Sequence, residues 1–279
     1  MASIKLTRMN GLGNDFLIYD ARKQDPISNF TEEQVIHLSS RANKQTGGCD
    51  QFIVLKNPQH EGANVFMLIY NSDGSEVHAC GNASRCVTAL ISKEIGKDSV
   101  SIETKAGLLN GTFFDPESAA VNMGAPVFEW KKIPLSKDVD IKNIPVELAG
   151  FSKPFAVSMG NPHMVFTTDM NVDNLDVPAL GTPLEHHELF PQRVNVGFAQ
   201  IVDKHNINLR VFERGAGETL ACGTGACAAA VAAITRGLCQ SPVDIRTRGG
   251  NMTIEWNGNH SPVIMTGAAV FEKVVDADI

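Results

Sequence analysis

No apolar run in the 279-residue chain approaches the roughly 18–20 residues that span a bilayer. The opening, MASIKLTRMNGLGNDF, lacks the apolar core of a signal peptide. The expectation is a cytoplasmic protein with no membrane partner. Excess positive charge is also missing. Lys and Arg number 24 against 31 Asp and Glu, a formal net charge of −7, which argues against nucleic acid as the main partner. The six cysteines include no CxxC pair and are too few for a disulfide scaffold in so long a chain. His78, Cys80 and Cys86 match no common zinc spacing, so no metal is expected. Low-complexity segments and short-period repeats are absent. What remains is an ordinary globular composition, 43% hydrophobic and 20% charged, long enough for one or two domains.

A long repeat is present. Residues 76–86 read EVHACGNASRC and residues 218–227 read ETLACGTGAC. Each copy has Glu, two residues, then Ala-Cys-Gly and a second cysteine. The lead cysteines, Cys80 and Cys222, lie 142 positions apart. A Gly-Asn pair precedes each at similar distance: Asn14 by 66 positions and Asn161 by 61.

After each lead cysteine comes a helix-like segment, the first closing at Gly96 and the second at Gly237, glycine being a common helix C-cap. The second, GTGACAAAVAAITRG, is apolar on nearly every face and is expected to be buried. A further helix is expected over Thr31–Ala42. Strand-like runs fall at Asn64–Tyr70, Ser99–Thr104, Gly111–Phe114, Ala156–Ser158, Ile207–Phe212, Val243–Thr247 and Met252–Trp256, several alternating apolar with polar residues. Gly124-Ala125-Pro126 is the best boundary. The sum is an α+β fold of two pseudo-symmetric domains, each a curved, mainly antiparallel sheet around a central helix. One comprises residues 1–123 with a C-terminal strand near 268–279, the other 124–267. Duplicated halves point to a working site in the cleft between them.

Two thiols at helix starts suggest two-sided proton transfer. A helix N-terminus lowers a thiol's proton affinity, and the unpaired N–H groups of its first turn bind anions. Gly81 and Gly223 let a ligand approach the backbone closely. A substrate carboxylate held there would stabilise the carbanion left when its alpha proton departs. One cysteine takes the proton as thiolate and the other returns one to the opposite face as thiol. This chemistry requires no cofactor. The bland reading, a small buried residue, is kept for Cys49, Cys86, Cys227 and Cys239.

Two other classes compete. GTGACA at 223–228 satisfies the dinucleotide pattern G-x-G-x-x-G/A, with Asp244 about 20 residues on. Against it, ERGAGETLAC separates the preceding strand from the first glycine, and the first cysteine motif is left unexplained. A non-enzymatic interaction module would be indifferent to alkylation of both cysteines.

The motifs MNGLGNDF (9–16), NSDGSEVHACGN (71–82), SMGNPH (158–163), RVNVGF (193–198) and ERGAGETLACGTGACAA (213–229) occur in the order seen in diaminopimelate epimerases. The chain closely resembles that family over nearly its whole length. The resemblance implies a cofactor-independent isomerase that interconverts LL- and meso-2,6-diaminopimelate for lysine and peptidoglycan precursors, often as a homodimer. It implies Cys80 and Cys222 as the acid–base thiols, with His163 and Glu213 flanking them to set protonation. Asn14, Gln51, Asn71, Asn161, Asn195, Glu213 and Arg214 match the family's substrate-binding positions, and Gly81-Asn82 and Gly223-Thr224 those at the helix starts. Arginine forks onto carboxylate, and amides serve either end of an amino acid. Outside the family match, a Gly-Asn asparagine is ordinary turn chemistry. Three positions depart from the usual pattern. Ala83 stands where glycine is usual, Cys49 where an aromatic is common, and Ile264 where a tyrosine linked to dimer contacts is often found. A related amino-acid racemase with another substrate therefore stays open as an alternative. Asn82 argues against the proline racemases, which carry CGH at the first thiol.

Overall fold

The computed structural model describes residues 3–24, 29–78, 80–115 and 118–279. Ala79, the alanine of the first Ala-Cys-Gly, lies outside them. In chain order the elements are β1 (Ser3–Gly11), β2 (Asn14–Asp20), α1 (Glu32–Ser39), β3 (Gln51–Lys56), β4 (Val65–Asn71), β5 (Glu76–Val77), α2 (Gly81–Ile95), β6 (Ser99–Thr104), β7 (Gly107–Asp115) and β8 (Ser118–Asn122). There follow β9 (Glu147–Leu148), β10 (Phe151–Ser152), β11 (Phe155–Ser158), β12 (Pro162–Thr168), a 3-10 turn (Val172–Asn174), α3 (Val177–Glu185), β13 (Asn195–Ile201), β14 (Asn206–Glu213) and β15 (Gly217–Thr219). The chain ends with α4 (Gly223–Thr235), β16 (Val243–Thr247), β17 (Gly250–Glu255), β18 (Ile264–Ala268) and β19 (Val270–Asp278). This is the expected α+β class. Among the described residues no helix is long and apolar enough to cross a membrane.

The chain divides into two compact units, Met1–Val121 with Thr266–Ile279, and Asn122–Met265. In the first, β19 and β2 flank β1 antiparallel, β2 runs parallel to β3, β3 antiparallel to β4, and β4 carries β5 antiparallel and β6 parallel. The hairpins β6–β7 and β7–β8 complete the order. In the second unit β11–β12 is antiparallel, β12–β13 parallel, β13–β14 antiparallel, and β14 carries β15 antiparallel and β16 parallel, with β16–β17 antiparallel. The sense of every shared pairing repeats between the units.

Why the strands behave so is visible in β2. Phe16 and Ile18 enter a core with Ala83, Cys86 and Val87 of α2, while Leu17 and Tyr19 enter another with Val35 and Leu38 of α1. Successive side chains point to opposite faces, so a strand covered by helices on both faces is apolar throughout. The inner helix of each unit is buried by its neighbours. α4 is unbroken apolar burial from Gly225 to Ala233, and its small side chains let β11–β14, β16 and β17 close on it. α2 packs against β1, β6 and β7. In the second unit α3 rests on Phe212, where a Cβ at Gly181 would lie 2.3 Å from the ring.

Helix ends follow local chemistry. Thr31 and Gln34 form a reciprocal capping box at α1. The helix expected to reach Ala42 stops at Ser39, because the returning loop takes its last carbonyls. The Thr46 hydroxyl donates to Leu38 O at 2.7 Å and Cys49 N–H to Ser39 O at 3.0 Å. Gly96 ends α2 in the left-handed region at φ 65°, which glycine adopts without strain.

Candidate active site

Each unit places one lead cysteine at the start of its inner helix. In the first unit Cys80 is the N-cap of α2, followed by Gly81 and the buried Asn82. The Asn82 amide donates to Asn14 Oδ1 at 2.5 Å, and Asn14 Nδ2 donates to Asp50 Oδ2 at 3.3 Å. Gln51 opens β3 opposite Asn71, the last residue of β4, and its Nε2 donates to Asn71 Oδ1 at 3.1 Å. Asn71 Nδ2 turns to Ser75 Oγ at 3.1 Å, so part of that amide is spent on the turn. Asn14 and Asn82 thus meet at the start of α2, and Gln51 and Asn71 form a second pair across β3 and β4.

In the second unit Cys222 is the N-cap of α4. Its sulfur accepts Gly225 N–H at 3.4 Å and lies 3.6 Å from Thr224 Oγ1. His163, on β12, pairs in register with Asn195 at the start of β13. Its Nε2 meets Asn161 Oδ1 at 2.9 Å, which requires the proton on Nε2. Burial and the positive charge of Arg214 push the His163 imidazole down to about 3, so it is neutral. Glu213 ends β14 and accepts from the Thr219 hydroxyl. The Asn195 amide bonds backbone at both ends, donating to Pro162 O at 2.8 Å and accepting Arg214 N–H at 3.0 Å. It sets the loop that presents the exposed Arg214, whose Nη1 donates to Gln192 O at 3.2 Å.

One expectation is overturned here. A helix start was expected to lower each lead thiol, yet Cys222 is raised well above its ordinary value. Burial is the first cause, since Cys222 is only 5% exposed, and the Glu213 carboxylate is the second; Thr224 and Gly225 N–H pull the other way without prevailing. Desolvation of a thiolate outweighs a few aligned donors. Cys80 is the more exposed of the pair. Cys49, Cys86, Cys227 and Cys239 are all buried, with burial pushing Cys49 up to about 11 and Cys86 up to about 12.

The glutamate four positions before each lead cysteine has a structural task in both units. Glu76 pairs with Lys105, the residue after β6, at 2.5 Å. Glu218 pairs with Arg248, the residue after β16, at 3.1 Å, and with the buried Arg210. Both ion pairs tether the short strand that leads into the helix start. The dinucleotide reading fares poorly. β15 occupies the gap before Gly223, and Asp244, on β16, accepts from the Thr253 hydroxyl at 2.6 Å.

Several supporting residues escaped the sequence reading. Glu185, buried at the end of α3, accepts Gly215 N–H at 2.7 Å and holds the loop after Arg214. Arg85 is wholly buried within α2. Asp15 and Asp50 each accept the other's backbone N–H, at 2.9 and 3.1 Å, and Arg41 bridges both carboxylates. Burial pushes the Asp15 carboxyl up, but Arg41, the Asp50 N–H and Arg8 more than offset it and hold it low. A charged residue inside an apolar stretch is the only signal the sequence offers for these, and it reads equally as a solvated face.

Comparison with known proteins follows the same outline. A family model described as diaminopimelate epimerase matches residues 6–129 and 155–272. The chain is 44% identical to the diaminopimelate epimerase of Aromatoleum aromaticum, over 99% of this chain and 100% of that one. It is 42% identical to that of Caulobacter vibrioides, over 95% and 94%. Among solved structures, a PhzF-family phenazine biosynthesis protein of Bacillus anthracis superimposes with a TM-score of 0.69 at 19% identity, covering all of both chains. A probable proline racemase of Agrobacterium radiobacter gives 0.66 at 17%, covering 99% of this chain and 92% of that one. At such identities these two speak to fold alone.

Proposed function

The chain belongs to the diaminopimelate epimerase family, and on that premise we propose that it interconverts LL- and meso-diaminopimelate by passing the alpha proton between the sulfurs of Cys80 and Cys222. The observation that carries this reading is the doubled N-cap cysteine, one at the start of each unit's inner helix. The two half-sites act on one carbon from opposite faces.

The roles follow from the chemistry. In the direction that starts with Cys222 as thiol, the Cys80 thiolate removes the alpha proton. The C–H bond breaks, an S–H bond forms, and the electron pair spreads into the substrate carboxylate. N–H groups at the helix starts, Gly81-Asn82 and Gly223-Thr224, stabilise that charge. Cys222 then gives its proton to the other face, its S–H bond breaking as the new C–H bond forms. The thiol form is favoured at Cys222 by burial and by Glu213, which also makes Cys222 the group that readily reclaims a proton after turnover. Neutral His163, tied to Asn161, keeps Nδ1 as an acceptor beside this centre. Asn14, Gln51, Asn71, Asn161 and Arg214 hold the ammonium and carboxylate ends of the substrate, while Asn195 positions Arg214. The working enzyme is a homodimer of the cytoplasm, as the family resemblance implies.

The test is alpha-deuteration in deuterated water, with LL-diaminopimelate and with a panel of single amino acids. Exchange with diaminopimelate alone is expected. Equal or faster exchange with a single amino acid would replace this reading with that of a racemase of other specificity.

A further inference from the structure

Arg85 lies five residues beyond Cys80 in α2, and the corresponding place in α4 is Cys227. It is 0% exposed and heads the fully buried side chains by volume. Burying a guanidinium is costly unless its hydrogen bonds are well placed. Here Nε donates to Ala268 O at 3.3 Å and Nη2 donates to Asn82 Oδ1 at 2.9 Å. Gly267 makes room for it, since a Cβ there would lie 3.3 Å from Cζ and Nε.

The consequence is a one-way chain. An isolated pair of asparagine amides can hydrogen-bond in either sense, because oxygen and nitrogen are interchangeable in shape. This pair cannot. Arg85 has only donors, so Asn82 must turn its oxygen to the guanidinium and its Nδ2 to Asn14 Oδ1. At the other end the Asp50 carboxylate has only acceptors, so Asn14 must offer it Nδ2. A cation and a carboxylate at opposite ends leave a single polarity that satisfies both. Each amide oxygen is used inside the chain, and each NH2 keeps a second hydrogen. Polarisation by the guanidinium strengthens the remaining donors.

We propose that Arg85 is a positioning residue that fixes the polarity of the Asn82–Asn14 amides, so that both present N–H rather than oxygen to the substrate carboxylate at the Cys80 helix start. This rests on the two-thiol reading, and the wild-type deuteration experiment tests that reading separately. The test of Arg85 is a double-mutant cycle with Arg85→Gln, Asn82→Ala and the double variant, reading kcat and KM for diaminopimelate and the thermal midpoint. Arg85→Gln is expected to lower kcat/KM by roughly 10- to 100-fold, with part regained in Arg85→Lys. In the Asn82→Ala background the same substitution should cost less than about twofold, because the residue it acts through is gone. Full additivity in the cycle, or kcat/KM within about twofold of wild type in Arg85→Gln, overturns the proposal. If Arg85→Gln does not fold, the cycle is run with Arg85→Lys, and a loss undiminished in the Asn82→Ala background overturns the proposal.

Discussion

The two units repeat one strand plan but furnish it differently. The first residue of the third strand is Gln51 in one and Asn195 in the other, and each pairs in register with the residue two beyond the Gly-Asn asparagine. That residue is Phe16 in the first unit and His163 in the second. The strand before the short tethered strand ends on Asn71 in the first unit and on Glu213 in the second. At these places the Cys222 unit carries the titratable His163 and Glu213, the latter raising its thiol, where the Cys80 unit has a phenyl ring and a neutral amide. The helix starts differ too. A Cβ at Gly225 would stand 3.3 Å from the Cys222 sulfur, which caps its helix. The first unit carries that methyl as Ala83, and the Cys80 side chain makes no cap hydrogen bond. The two units share the scaffold that sets a cysteine at a helix start and differ in the groups it carries.

The strongest way to break this comparison is to remove each thiol. Cys80→Ser and Cys222→Ser are each expected to lower epimerisation by ~10²–10⁴-fold, the usual loss of a positioned acid or base. Near-wild-type turnover in either would mean that one unit alone does the chemistry. A second measurement sharpens the claim that Glu213 holds the proton on Cys222. In Glu213→Gln the thiol loses that opposing charge, and alkylation of Cys222 by iodoacetamide at pH 8 should quicken. An unchanged rate would assign the whole elevation to burial. The smallest effect is thermodynamic. His163 takes up a proton below about 6.5 when unfolded but only near 3 when folded. Between those values the unfolded chain binds the extra proton, so stability is fully present above pH 6.5 and is lost as pH falls through the window, by at most about 1.4 kcal/mol per pH unit. Urea midpoints of wild type and His163→Gln from pH 7 to 4 should converge as pH falls. Parallel curves would show that His163 is solvated.

Some of this was open to reading and some was not. The doubled Ala-Cys-Gly, the glycine helix ends and the alternating strands carry their meaning locally, and Ser99–Thr104 and Val243–Thr247 fall where the pattern puts them. α1 did not, because its end is decided by Thr46 and Cys49, residues of the loop that folds back on it. Asn195 reads as a substrate ligand by motif, and only the fold shows that its amide also bonds Pro162 O and Arg214 N–H. Arg85 reads as one charge on a helix, and only packing reveals that it has no exposure.

By itself the sequence determined the two-unit α+β plan, the two helix-capping cysteines and the family, because helix caps, strand alternation and short motifs depend on neighbours in the chain. Tertiary structure alone decided that burial and Glu213 raise the Cys222 thiol, and which partners each asparagine amide takes. Those properties depend on desolvation, as at Cys222, and on partners remote in sequence, such as Asp50 beside Asn14.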